Sequence, residues 1–169
     1  QDPLSSLNPR HSVARLIGGP LKLDGFADVN GRVEDALGQV GLPQEFMGRY
    51  PHEMSGGQRQ RIGIARAIAS RPDFILADEI VSGLDVSNQA QILNLLENLV
   101  SDLDLTLAFV SHDLSVIRRL CHRVMVMNQG EIVEIGAVDK VFEAPQHSYT
   151  RELLDAIPLP DPDQDWEAA

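Results

Sequence analysis

"RPDFILADE", Arg71–Glu79, sets four apolar residues between a proline and two adjacent acids. A short, wholly apolar run is the pattern of a strand buried on both faces, because a half-exposed strand would alternate. On either side the period becomes helical. Gln58–Ser70 reads as a helix before it, and Asp85 is placed to cap another in which Val86, Ile92, Leu93, Leu96 and Leu99 face a core. "TLAFV" (Thr106–Val110), a helix from about Leu114 to Leu120 and "RVMVM" (Arg123–Met127) continue the alternation. Strands separated by helices predict an α/β fold with a parallel sheet and right-handed crossovers.

Toward the N-terminus the character differs. Gln1–Pro9 reads as an ordered loop rich in turn formers, and Val13–Ile17 as a short helix ended by Gly18-Gly19-Pro20. Val33, Leu37 and Val40 recur at helical spacing until Gly41, and Pro43 opens a further short helix to about Tyr50. Nothing between Ala14 and Met54 alternates as a strand does, so this part is expected to form a small helical subdomain. Toward the C-terminus, Asn128-Gln129-Gly130 is a turn signal that makes "EIVEIG" the second arm of a hairpin. Short helices are expected around Val138–Glu143 and Tyr149–Ala156. The tail from Pro158 holds four acids and no base, which predicts a solvated, disordered end.

The 169 residues are 43% hydrophobic, enough for one domain with a real core or for one small domain plus a subdomain. The formal charge is −11, and twelve of the fourteen bases are arginines scattered along the chain, so no basic stripe points to nucleic acid. One cysteine, Cys121, excludes an intramolecular disulfide and a Cys-rich zinc site, and predicts an inert thiol in a reducing compartment. No apolar run approaches the roughly 20 residues that a membrane-spanning helix needs, and the first residues show no signal-peptide pattern.

In an open parallel sheet, ligands bind beyond the carboxyl ends of the strands. "FILA" delivers Asp78-Glu79 there, a pair suited to holding magnesium and activating water in phosphoryl transfer, or equally to an ordinary acidic loop. "TLAFV" delivers Ser111-His112-Asp113. These have the residue types of a hydrolase triad, but neighbours in an extended segment point opposite ways and cannot converge. "HEMSG" at His52 is no zinc-protease helix, since Gly56 stands where the second histidine belongs. Ser55-Gly56-Gly57-Gln58 reads two ways: as a capping box, or as a helix start whose hydroxyl, amides and glycines receive a phosphate. Arg59 and Arg61 either add positive field there or face solvent.

"MSGGQRQR", "RPDFILADE", "SGLD" and "VSHD" together resemble the ATP-binding cassette (ABC) ATPases in content, order and spacing. "QDPLSSLNPR", "YPHEMSGGQRQRIGIARA" and "HSYTRELLDAIPLPDP" look like the ATPase subunits of oligopeptide, dipeptide and nickel importers. The resemblance implies a partial P-loop NTPase-like ABC domain: a Q-loop segment (1–10), a helical subdomain (11–54), the signature helix with the parallel-sheet half of the core (55–136) and an importer-type extension with an acidic tail (137–169). Its implied cofactors are ATP and Mg2+. Ser55, Gly56, Gly57 and Gln58 are then the signature that receives the partner's γ-phosphate, and Asp85 of the D-loop aligns the dimer. Asp78 and Gln1 serve the magnesium, Glu79 is the general base, and His112 contacts the γ-phosphate.

The implied partners are a second ATPase subunit, identical or different, transmembrane permease subunits and, indirectly, a periplasmic or extracellular substrate-binding protein. The implied location is the cytoplasmic face of the membrane. Competing readings are a soluble ABC protein of translation or DNA repair, and a non-catalytic partner that only lends its signature. Peptide, nickel and glutathione all stay open as cargo. Two departures stand out. No G-x-x-x-x-G-K-[ST] occurs in these residues, so the chain by itself is expected to bind ATP poorly. Ile80 stands where the family usually has proline, which removes a fixed φ from the turn into the D-loop.

Overall fold

The computed structural model describes residues 6–156 and divides at Val110 into two compact units. The first, to Val110, starts with three helices packed on one another: α1 (Val13–Leu23), α2 (Val29–Gln39) and α3 (Gly56–Ile68). Val13, Ile17 and Leu21 of α1 recur every fourth residue and are at most 1% exposed, as are Val33 and Leu37 of α2 and Ile62 and Ile68 of α3. Each such side chain contributes about 1.5–3 kcal/mol relative to an exposed one. Short 3-10 turns at Gln44–Gly48 and Pro51–Glu53 join α2 to α3. Of the segment before α1, the described residues are tied to the unit, with Leu7 buried and the Ser6 carbonyl accepting from Arg66 at 2.9 Å.

One expected helix end is absent. The helix from Val13 runs through Gly18-Gly19-Pro20 to Leu23, although Pro20 has no N–H to give Leu16. The continuation buries Leu21 one turn beyond Ile17. Gly18 is a packing device rather than a stop: a Cβ there would lie 2.9 Å from Val29 Cγ1 of α2. Tertiary contact overrides the local signal.

Strands β1 (Phe74–Asp78) and β2 (Thr106–Val110) pair in parallel, Phe74 opposite Thr106 and Asp78 opposite Val110, joined through helix α4 (Val86–Asp102). The expectation that "FILA" is buried on both faces is not met. Ala77 is buried, but Phe74 is 56% and Leu76 63% exposed. Two strands alone leave their outer face and edges uncovered. An apolar cleft of about 220 Å³ separates the strands from α3 and α4, lined by Ile64, Ile68, Leu76, Leu96 and Leu107 among others.

The second unit begins at Ser111 with helix α5 (Leu114–Leu120), then a hairpin of β3 (Arg123–Asn128) and β4 (Glu131–Ala137), helix α6 (Val138–Glu143) and helix α7 (Ser148–Asp155). Among the described residues, β3 pairs with β4 and does not extend the parallel sheet. Gln129 and Gly130 both take positive φ, the tight turn that returns the chain at once to the expected antiparallel partner. Burial raises the Cys121 thiol above its ordinary pKa, which fits an inert side chain.

Glu134 of β4 ties down the start of α7. Its carboxylate accepts from the backbone amides of Gln146 (2.9 Å) and His147 (3.0 Å), with the buried Thr150 hydroxyl facing it outside good hydrogen-bond geometry. Thr150 first, then these two amides, hold the carboxyl below the usual glutamate range. Arg151 closes the turn from the other side, donating to the carbonyls of Pro145 (3.1 Å) and Gln146 (2.8 Å).

Candidate functional site

Helix α3 begins with both halves of the capping box. Ser55 Oγ accepts from the Gln58 amide at 3.3 Å, and Gln58 Oε1 accepts from the Ser55 amide at 3.0 Å. The box leaves the first-turn amides of Gly56 and Gly57 without an intrahelical acceptor, as in any α-helix. Cap and uncapped first-turn amides therefore coexist in one turn.

That turn sits on the start of α4. A Cβ on Gly57 would lie 3.0 Å from Asn88 Oδ1, and one on Gly56 would lie 3.8 Å from Leu84 Cδ2. Gly57 is thus the residue that lets the two helix starts approach. Asn88 is fixed in turn by Asp85, which accepts from the Asn88 backbone at 2.8 Å and from its side-chain amide at 2.6 Å. The Asn88 backbone amide, and then its side chain, hold the exposed Asp85 carboxyl below its ordinary pKa. Ser55–Gln58 and Leu84–Asn88 form one continuous surface. Asn88 was not legible as part of it, although its place three residues after a capping aspartate is a usable signal.

Arg59 and Arg61 turn inward. Arg59 Nη1 donates to the carbonyls of Met54 (2.8 Å) and Pro51 (3.3 Å), fixing the approach to Ser55. Arg61 Nη1 donates to Val40 at 2.6 Å. Both side chains act first on backbone carbonyls.

Asp78 ends β1, and Glu79 follows with φ +48, a left-handed conformation that costs a non-glycine residue about 1–3 kcal/mol. It is held there by the strand ends, the Glu79 amide donating to the Val110 carbonyl at 2.9 Å, and by a turn in which the Ser82 amide donates to the Glu79 carbonyl at 3.1 Å. Both acids are half-buried, and Gly83 at φ +75 completes the turn toward Asp85. Asp78, Glu79, Ser55–Gln58 and Asp85 all belong to the first unit. His112 is exposed in the second unit, next to Asp113, whose carboxylate caps α5 by accepting from Ser115 (3.0 Å) and Val116 (3.4 Å). Gln1 and the tail from Pro158 lie outside the described residues.

The sequence matches the ABC transporter family over residues 1–82 and the C-terminal region of oligopeptide/dipeptide transporters over residues 133–169. A putative peptide import ATP-binding protein of Brucella ovis is 52% identical over 166 residues, covering 96% of this chain and 52% of that protein. The oligopeptide transport ATP-binding protein OppF of Bacillus subtilis is 51% identical over 167 residues, covering 96% of this chain and 55% of that protein. The chain spans about half the length of the curated relatives it matches. Among solved structures, the dimeric ABC transporter cassette MJ0796 superposes with a TM-score of 0.66 at 29% identity, covering 78% of this chain and 59% of that one. The same cassette, dimeric in a post-hydrolysis state bound to ADP and Pi, superposes equally well. With the acidic end of a parallel strand, the capped glycine turn and both sequence matches in agreement, the chain belongs to the ABC transporter family.

Proposed function

We propose that the chain is part of the ATP-binding subunit of an importer, and that the whole protein hydrolyses ATP to drive uptake of oligopeptides or dipeptides through a permease. The observation that carries this is the surface shared by the Ser55–Gln58 turn and the Asp85–Asn88 helix start, in the same unit as the acidic strand end Asp78-Glu79. A glycine-containing helix start whose first-turn amides lack intrahelical acceptors favours a phosphate, and nothing beyond Cα hinders approach at Gly56. In this reading the phosphate belongs to ATP held by a second ATPase subunit, identical or different, which suits a turn that is complete in residues containing no phosphate-binding loop. Asp85 aligns the two subunits.

Glu79 is the general base: its carboxylate orients the attacking water and accepts its proton. The two strand ends, by holding Glu79 in a left-handed conformation, fix the direction from which that carboxylate leaves the backbone. Asp78 would hold magnesium, which when bound neutralises charge on the phosphates. Asp78, adjacent to Glu79 at the strand end, gives a donor set that fits an ion taking one or two carboxylates with water and phosphate oxygens. Gln1 serves the same ion, and His112 contacts the γ-phosphate. The helices α1 and α2 dock on the permease, at the cytoplasmic face of the membrane. No helix among the described residues is long and apolar enough to cross a membrane.

Replacing Glu79 by Gln in the full-length protein, assembled with its permease, tests the reading. ATP turnover is expected to fall at least about 100-fold while nucleotide still binds. Turnover at the wild-type rate would remove Glu79 from the role of base.

A further inference from the structure

Arg61 joins three helices with one side chain. It is the sixth residue of α3, and its Nη1 donates to the carbonyl of Val40, the residue that ends α2, at 2.6 Å. A guanidinium at a helix C-terminus satisfies an orphan carbonyl and lies against the negative end of the dipole. Gly41 makes the approach possible: its φ is +69, and a Cβ there would stand 3.2 Å from Nη1. Nη2 of the same guanidinium donates to Gln91 Oε1 at 3.4 Å, and Gln91 is the sixth residue of α4. The bond therefore joins equivalent positions on the two helices whose starts carry Ser55–Gln58 and Asp85. At those starts the helices touch through Gly57 and Asn88. Arg61 is the second tie, about one turn further in.

We propose that Arg61 is a positioning residue, one that keeps the starts of α3 and α4 in register with each other and with the end of α2, and that does not itself meet phosphate. The proposal rests on the function proposed above, in which those two helix starts face the partner's ATP. A fixed register matters because a displacement of about 1 Å far from the reacting atoms can cost about 100-fold in rate. Losing Arg61 would also remove the tie on the end of α2, the helix that with α1 meets the permease.

The test uses the full-length protein with its permease and separates turnover from nucleotide binding by the unassembled subunit. Arg61→Met is expected to lower kcat about 10-fold to 100-fold, with ATP affinity of the single subunit within about twofold of wild type. Arg61→Lys, which can still reach Val40 but lacks the fork to reach Gln91, should fall between Met and wild type. Gln91→Leu keeps the α2 cap and removes only the cross-helix bond, so it guards against a simple folding failure; its kcat should drop about threefold. Wild-type turnover in Arg61→Met overturns the proposal. So does a joint loss of turnover and nucleotide affinity in Arg61→Met combined with wild-type turnover in Gln91→Leu. Ser55→Arg is the control for the underlying reading: if a bulky base in the turn leaves turnover intact, the proposed function fails, whatever Arg61 does.

Discussion

The paired strands of the first unit are built from more apolar residues than the three-helix group, yet only the helices close a core. Ile17, Val33, Leu37 and Ile62 are fully buried, whereas Phe74 and Leu76 of β1 are more than half exposed. The hairpin of the second unit resembles the strands, with Met125, Met127, Ile132 and Ile135 about half exposed. Helices carry their backbone hydrogen bonds within themselves and need only one apolar stripe covered, so three suffice. A strand exposes two faces and two edges, and two strands cover neither. The difference locates self-contained stability in α1–α3 rather than in the strands.

The largest effect expected from this contrast is in stability. Leu37→Ala, at a site with no exposure, should destabilise the chain by about 2–5 kcal/mol, because the cavity adds to the lost burial. Leu76→Ala, at 63% exposure, should cost within about 1 kcal/mol. Denaturant titration of both variants checks this, and equal costs would mean that the strand face is covered after all.

A second pair sharpens the contrast at the seam between α3 and α4. Gly57→Ala forces a Cβ to 3.0 Å from Asn88 Oδ1, while Gly56→Ala meets Leu84 at 3.8 Å. Overpacking predicts a cost of about 1–3 kcal/mol for Gly57→Ala. Gly56→Ala should be neutral or stabilising by up to about 1 kcal/mol through helix propensity. Reversal of that order would show that Asn88 yields and that the seam is loose.

The smallest effect is a pH dependence in the second unit. Because the folded Glu134 carboxyl is held below the ordinary glutamate range, its hold on α7 is fully present above that range and is lost as pH falls through its lowered pKa. Hydrogen exchange at the Gln146 and His147 amides should therefore accelerate on acidification relative to exchange elsewhere in the unit. Glu134→Gln should remove that extra dependence; its persistence would assign the acid sensitivity to another group.

The cap at Ser55 was readable because it depends on two side chains three residues apart and on nothing distant. The strands, most helices and the hairpin turn were readable for the same local reason. Gly18-Gly19-Pro20 misled because Val29, on another helix, decides what Gly18 is for. The partner of β3 is legible because a two-residue turn at Gln129-Gly130 fixes it locally. The sequence alone leaves Arg59 and Arg61 between solvent and phosphate. Their carbonyl partners come from the loop before α3 and from the end of α2, and such long side chains take their direction from tertiary packing.

The central claim is that the Ser55 turn acts on ATP held by the other subunit, while Glu79 acts on ATP held by its own. Mixed dimers of the full-length protein test this directly, with Ser55→Arg and Glu79→Gln either on one subunit or divided between two, and phosphate release as the readout. Divided lesions fall in the same composite site and leave the other intact, so the account predicts release at about half the wild-type rate. Both lesions on one subunit strike both sites and should abolish release. Equal rates in the two arrangements, or the reverse order, would contradict it.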